Sequence, residues 1–235
     1  MDAHPDISIC GGFAMTIGHQ QGDVWRFPTS HDAIRARLIF DNPIVHPSTI
    51  MRRADLFRHG LLYDTTFSRT EDYDLWERAA CCVKLANMPE VLVKYRVSAP
   101  GSRPEFDARE AEESGRVRFR QFRRLGLEVS PAEERLHYQL STWDFQGSTD
   151  FLRQADRWLT RLHKANTVYP EPAFSDVLAD RLYAFCSAAT HLGPEVWRVF
   201  AESDLSRSRR RNLLAEAHLA ARCLVRWRRR GAAPA

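Results

Sequence analysis

Two adjacent carboxylates, Glu71 and Asp72, lie where a helix is expected to begin. The apolar spacing that includes Leu75 and Trp76 predicts this helix over residues 71–81. A carboxylate in the first helical turn is held in place by the helix and kept ionised by the helix dipole. Such a group could accept a proton from a hydroxyl in general base catalysis.

The same turn also has a purely structural interpretation. Ser68 and Glu71 fit the Ser-x-x-Glu pattern of a capping box, in which two side chains satisfy the free N–H groups of a helix start. On local pattern alone the capping interpretation is favoured, because helix caps are common. The residues around the turn must therefore decide between the two.

The elements that would position this turn alternate between strand and helix. The short apolar runs predict strands at 7–15, 48–51 and 91–97, and helical spacing predicts helices at 32–40 and 54–59. Gly11 and Gly12 interrupt the first strand, which indicates a bulge or a close approach of another segment. Ser30 is the expected N-cap of the first helix. The first hundred residues are therefore predicted to be mixed α/β.

The second half of the chain has a different pattern. The breaker-rich segment 98–104 marks the expected boundary, so the predicted domains are 1–104 and 105–235. Beyond the boundary, helical spacing covers 106–125, 131–165, 173–191 and 205–230. The second domain is thus predicted to be an α-helical region that ends in a basic amphipathic helix.

Arginine is concentrated at this end of the chain. Residues 207–230 contain nine Arg and one Glu, a charge of +8, so the rest of the chain carries −4 of the total of +4. Three interpretations stay open: a membrane-surface helix, a nucleic-acid contact and a solvated helix. The nucleic-acid interpretation is the least favoured, because no reading motif accompanies the charge. In the solvated case an apolar stripe would pack on the protein: Leu213, Ala217, Ala220, Ala221 and Leu224.

The five cysteines include no Cys-x-x-Cys spacing, and their number is odd. Neither a zinc knuckle nor a disulfide framework is indicated. No apolar run approaches the roughly 20 residues of a membrane-spanning helix. We therefore expect a cytoplasmic protein, either free or peripheral at the inner face of the membrane.

Several blocks of this sequence, taken in order, resemble family 2 glycosyltransferases of the GT-A fold. The resemblance covers residues 3 to about 98, and the blocks that carry it are 3–12, 42–53, 60–63, 70–76 and 89–96. It implies a partial GT-A-type nucleotide-diphospho-sugar transferase half-domain, followed by the helical region. It also implies transfer of a sugar, with inversion, from a nucleotide-diphosphate donor to a hydroxyl of a glycan or lipid-linked acceptor.

The resemblance assigns roles to single residues of the acidic turn. Asp72 matches the family's catalytic base. Glu71 would orient that base or contact the acceptor. Both roles need the carboxylates to face a substrate, which a capping box would prevent for Glu71.

Four further residues are implied as substrate-binding. His46 and Ser48 lie in the block that borders the sugar and acceptor pocket, although both residue types are also common in turns. Arg96 follows the last strand, where it could pair with a diphosphate or form an ordinary surface salt bridge. Trp76 follows the acidic turn, and the helical pattern equally suits it to anchoring the helix in the core.

The sequence departs from the family at its donor side. The family's nucleotide-binding half and its Asp-x-Asp motif have no counterpart, and Ser98 stands where many relatives have a His. The family uses a divalent metal, Mn²⁺ or Mg²⁺. The one Asp-x-Asp of this sequence, 72–74, is on a helix, where side chains two apart point to different faces. No metal ligand is therefore predicted.

Three explanations of the missing half stay open: an N-terminally truncated sequence, a remnant, or a partner chain that supplies the other half. The alternative function is accordingly a non-catalytic interaction module that binds a partner chain or a membrane surface. A half sheet of this kind is expected to expose a strand edge and apolar side chains.

Overall fold

A four-stranded mixed sheet organises the first part of the chain. Its central strand β1 (Ile7–Gly18) pairs antiparallel with β2 (Val24–Trp25) and β3 (Ile50–Met51), and in parallel with β4 (Lys84–Val97). The predicted first strand is confirmed and continues to Gly18. The predicted last strand is also present, but it begins at Lys84, because the parallel ladder with β1 continues past the irregular register around Pro89.

The structure is a computed structural model that describes residues 1–99, 101–208 and 213–231. The chain forms two units, Met1–Arg123 and Arg124–Ala235. The first unit contains the sheet and is mixed α/β, as the sequence predicts. The described part of the second unit is helical.

The glycine pair in β1 lies where two other segments approach the strand closely. A Cβ on Gly11 would be 2.6 Å from the Asn87 side chain, and one on Gly12 would be 2.4 Å from Leu92. The register with β4 also shifts directly after Gly12. Both expectations for this pair, a bulge and a close approach, are therefore confirmed.

Three helices of the first unit pack around a common core. They are α1 (His31–Arg37), α2 (Arg53–Arg58) and α3 (Glu71–Ala79). A 3-10 turn, His46–Ser48, precedes β3. The central core residues are apolar side chains from these helices, the segment after α1, β1 and β4: Ile9, Ile34, Leu38, Ile44, Leu56, Tyr73, Leu75, Trp76 and Leu85.

Helix α4 (Pro104–Arg124) belongs to the first unit over almost its whole length. Its Val117 is part of the core. The buried side chains of Arg118 and Gln121 donate hydrogen bonds to the carbonyl oxygens of Phe40 and Leu38. The unit boundary at Arg123 thus follows this helix, whereas the boundary expected from the breaker residues precedes it.

The described helices of the second unit are α5 (Pro131–Thr142), α6 (Thr149–Lys164), α7 (Ala173–Ala188), α8 (Pro194–Glu202), α9 (Asp204–Ser208) and α10 (Leu213–Gly231). The range 131–165, which is predicted to be helical, forms two helices, α5 and α6, with a break between them. Helix α5 ends because Trp143 adopts a left-handed conformation with φ 61°, and Ser148 caps a new helix. Helix α8, which begins at a proline, was not predicted.

The side chains that α10 buries differ from those of the predicted packing stripe. Its buried side chains are Leu219 and Cys223, whereas Ala217, Ala221 and Leu224 are exposed. Residues 209–212 of the predicted basic segment lie outside the described residues, as do the side chains of Ser208, Leu213 and 226–230. Within the described part of the chain, no helix has the length and hydropathy needed to cross a bilayer.

Candidate active site

The acidic turn lies at the amino end of α3, which the core holds firmly. Tyr73, Leu75 and Trp76 are all buried on the inner side of the helix. The Tyr73 hydroxyl also donates a hydrogen bond of 2.5 Å to the Leu38 carbonyl oxygen. Because the following residues are fixed in this way, the first turn has a defined position.

The predicted capping box of Ser68 and Glu71 does not form. The N-cap residue is Thr70, and its side chain accepts no hydrogen bond from the helix. Instead, the Glu113 carboxylate of α4 accepts hydrogen bonds of 2.8–3.1 Å from the backbone N–H groups of Ser68, Arg69 and Thr70. The hydroxyls of Ser68 and Thr70 donate to it as well.

This carboxylate acts as a bound anion within the protein. Burial of Glu113 opposes its charged form, but the hydrogen bonds from Ser68, Arg69 and Thr70 outweigh that cost, and its pKa is lowered. Consecutive backbone N–H groups that point at one anion form a strong binding site for it. Glu113 therefore fixes the segment that leads into the acidic turn, and it leaves Glu71 free of any capping role.

Asp72 is partly buried at the site, with its side chain 17% exposed. Its Oδ1 accepts a 2.7 Å hydrogen bond from the Tyr73 N–H, and its Oδ2 accepts a 2.9 Å hydrogen bond from the Asn42 side-chain amide. Desolvation raises the pKa of Asp72, and the nearby Glu71 carboxylate adds to the rise. A positioned carboxylate with a raised pKa is the property that a general base requires.

His46 connects both carboxylates with a tyrosine. Its Nδ1 is 3.9 Å from Glu71 Oε1 and 3.9 Å from Asp72 Oδ2, and its Nε2 is 2.9 Å from the Tyr63 hydroxyl oxygen. Burial and the charges of Asp72 and Glu71 raise the pKa of Tyr63, so this hydroxyl stays protonated. The structure thus brings together three of the predicted site residues: His46, Glu71 and Asp72.

Ser48 and Trp76 have structural surroundings instead. The Ser48 hydroxyl accepts from the Gly12 N–H at 3.0 Å and donates to the Val45 carbonyl oxygen at 2.7 Å, which ties the 3-10 turn to β1. Trp76 is fully buried. Its ring meets that of His46 edge-on, with centroids 6.0 Å apart. Both residues support the position of His46, and their contact with a substrate stays a prediction.

Arg96 and its neighbour Tyr95 are both exposed on β4. Desolvation and the charges of Glu110 and Asp72 raise the pKa of Tyr95. The role of Arg96 at a diphosphate stays a prediction.

The structure adds residues whose signals in the sequence are weak. Asn42 and Tyr63 fall within blocks that carry the resemblance, but no charge or helical pattern distinguishes them. Glu110 and Glu113 lie in the helix after the expected boundary, so nothing connected them with the turn. Tyr95 belongs to an apolar strand pattern, in which an aromatic residue is ordinary.

The Asp-x-Asp sequence of 72–74 does not fit a metal ion. Asp74 is buried, and its two oxygens pair with Arg78 and Arg120 at 2.7 and 2.8 Å. Among the described residues, no group of three or more His, Cys, Asp or Glu side chains could hold a metal ion. The divalent ion that the resemblance implies therefore has no ligand set in this part of the chain.

An open groove elsewhere in the first unit is unrelated to these residues. Its lining includes His31, Cys81 and Lys84 but none of the predicted site residues. The Lys84 ammonium pairs with Asp6 at 3.1 Å. The chemistry of the acidic turn thus lies apart from this groove.

A curated protein of Haemophilus influenzae is similar to part of this chain. It is named an uncharacterized glycosyltransferase. The two are 39% identical over 80 residues, which is 34% of this chain and 24% of the relative. The matched region thus spans about a quarter of the relative's length. No family model matches the chain, and no solved structure matches it.

Proposed function

We propose that this chain is a glycosyltransferase that uses Asp72 as its catalytic base. The observation that carries the proposal is the partly buried Asp72 carboxylate with a raised pKa, held by two hydrogen bonds at a helix start. The partial similarity to a protein named as a glycosyltransferase supports the same reaction class.

The proposed reaction is a single displacement with inversion. The acceptor hydroxyl oxygen forms a bond to the anomeric carbon, while the bond from that carbon to the diphosphate oxygen breaks. The proton of the hydroxyl goes to Asp72, and the nucleotide diphosphate leaves with the bonding electron pair. This assignment agrees with the resemblance to inverting family 2 enzymes of the GT-A fold.

The surrounding residues prepare Asp72 for this step. Asn42 and the Tyr73 N–H each bind one oxygen of the carboxylate, so it is oriented before the acceptor arrives, which lowers the entropic cost of reaction. Beside Asp72 lie the polar side chains of His46, Glu71 and Tyr63. Other hydroxyls of the acceptor can form hydrogen bonds with them. We derive no step through a divalent ion, because the described residues do not fit one.

The proposal predicts a specific product stereochemistry. The full chain is incubated with nucleotide-diphosphate sugars of known anomeric configuration and with glycan or lipid-linked acceptors. Formation of a glycoside with the opposite configuration, read by proton NMR, is the expected result. Retention of configuration, or binding of nucleotide diphosphate with no transfer to any acceptor, would contradict it.

A second candidate is an interaction module without catalytic activity. The observation that favours it is the exposed apolar surface of β4, which pairs with β1 alone among the described strands. Met88, Val91 and Leu92 on this strand are each more than 40% exposed. Exposed apolar side chains on a strand with an unpaired edge are typical of interaction surfaces.

Calorimetry separates the two candidates. The transferase is expected to bind a nucleotide diphosphate in the presence or absence of Mn²⁺. The interaction module is expected to give no binding heat in either case. A chain that binds no nucleotide diphosphate but forms a stable complex with a second protein would favour the module.

A further inference from the structure

The outward face of α10 is apolar. Leu214 is 85% exposed, Leu224 is 51% exposed and Val225 is 52% exposed. Ala217 and Ala221 are exposed as well. At about 100° per residue, these five positions fall within roughly one third of the helix circumference. They form a continuous stripe, which we name the outer stripe.

The opposite face of α10 is fixed to the second unit. Leu219 and Cys223 are fully buried there. The Tyr183 hydroxyl donates to the Ala215 carbonyl oxygen at 3.2 Å, and the Arg222 guanidinium donates to the Ser187 carbonyl oxygen, also at 3.2 Å. Rotation of the helix to bury the outer stripe would break these contacts. The second unit therefore cannot cover this stripe without losing them.

The sequence on both sides of the outer stripe is strongly basic. Four Arg occur within 207–211 and four more within 226–230, whereas the chain outside 207–230 has a net charge of −4. An apolar helix face between cationic flanks is the combination that binds anionic lipid surfaces. The helix is too polar for insertion across a bilayer, but this pattern suits it to the interface.

We propose that the outer stripe of α10 docks on an anionic lipid bilayer, with the helix axis in the plane of the interface, and that the positive charge of the flanking sequence adds to the attraction. Nucleic acid fits less well, because phosphate contacts would leave the apolar stripe exposed. A second copy of the chain also fits less well. The segments on both sides of the outer stripe are basic in sequence, so two copies would repel each other.

The test uses the purified full chain and flotation with vesicles. One set is phosphatidylcholine alone, and the other contains about one quarter phosphatidylglycerol, a fraction that gives a negative surface potential. We expect binding to the anionic vesicles only. Binding should weaken at least about tenfold between roughly 0.1 and 0.5 M NaCl, because salt screens the arginine contribution. Equal binding to both sets would overturn the electrostatic part of the proposal.

Serine variants test the apolar part. Leu214→Ser with Leu224→Ser keeps the charge and is expected to lower the partition coefficient at least about tenfold, since each leucine contributes when it is buried in lipid. The matched control is Leu62→Ser, which replaces a leucine of similar exposure in the first unit (59%) and should bind as the wild type does.

Three outcomes would overturn the proposal. The first is unchanged vesicle binding by the double variant. The second is wild-type self-association in sedimentation equilibrium that the double variant loses, which would assign the outer stripe to a second copy. The third is wild-type binding to an oligonucleotide with no binding to anionic vesicles, which would assign the arginines to nucleic acid. Because no sugar transfer is measured, these results are independent of the proposed catalytic function.

Discussion

The pattern Ser-x-x-Glu occurs just before α3 and again at the start of α5, and the two sites fold differently. At α5 the Glu133 carboxylate accepts from the Ser130 N–H at 2.9 Å, and the Ser130 hydroxyl accepts from the Glu133 N–H, which makes a true capping box. At α3 the corresponding glutamate, Glu71, makes no such bonds. It lies 3.9 Å from His46 instead.

The difference comes from a residue far away in the sequence. Glu113 satisfies the N–H groups before α3, so Glu71 is not needed as a cap. At Ser130 the backbone N–H donates to the Glu133 carboxylate of its own helix. A local pattern thus states what a helix start can do, and tertiary surroundings decide what it does. Because Glu71 makes no capping hydrogen bond, its carboxylate is available to bind a substrate next to Asp72.

The first prediction concerns the Glu113 carboxylate, which binds the N–H groups before α3 in place of a capping box. In Glu113→Gln the amide NH₂ would face the N–H donors of 68–70, so we expect a loss of about 3 kcal/mol in the free energy of unfolding. The amides of Ser68, Arg69 and Thr70 should exchange at least about tenfold faster. The control is Glu112→Gln on the exposed side of the same helix. Equal exchange in both variants would contradict the role of Glu113.

The second prediction compares the replacement of glutamate by alanine in the two Ser-x-x-Glu patterns. Glu133→Ala removes a capping bond and the pairing with Arg161, so α5 should lose about 1 kcal/mol of local stability. Glu71→Ala should change the stability of α3 by less than about 0.5 kcal/mol, because surface changes away from caps have small effects. Amide exchange in each helix measures both. A larger loss for Glu71→Ala would restore the capping interpretation.

The third prediction concerns pH. Burial raises the pKa of Asp72 in the folded state, so the fold favours the protonated acid. Relative to Asp72→Asn, the wild type should therefore be favoured at low pH, and this advantage should disappear as the pH rises through the raised pKa. The difference in the free energy of unfolding changes by about 1.4 kcal/mol for each unit by which the pKa of Asp72 differs between the folded and unfolded states. Urea unfolding of both proteins at several pH values checks the sign, and a wild-type advantage that grows with pH would oppose it.

Local patterns were enough for much of the framework. The apolar run of β1, the glycine pair and the helix after Glu71 follow from spacing and residue type. Local patterns could not reveal the break at Trp143, because its left-handed conformation is unusual for a bulky side chain. They also misplaced the buried face of α10, where Leu219 and Cys223 pack instead of the more numerous alanines.

The candidate site was predicted only in part, for a similar reason. His46, Glu71 and Asp72 lie together, as the resemblance implied. Asn42 and Glu113 were missed because their partners are 30 and 43–45 residues away. Such contacts depend on how α3 and α4 pack, and no local spacing encodes them.

The most direct measurement of the central claim compares two aspartates at equivalent helix positions. Asp72 and Asp32 are each the second residue of a helix, but Asp32 is exposed, whereas Asp72 is partly buried and lies 3.9 Å from His46. We predict that Asp72→Asn lowers the rate of sugar transfer by about 10²–10⁴-fold, the usual contribution of a general base. Asp32→Asn should keep the wild-type rate, and both variants should keep the wild-type circular dichroism. Transfer by Asp72→Asn at the wild-type rate would contradict the assignment of Asp72 as the base.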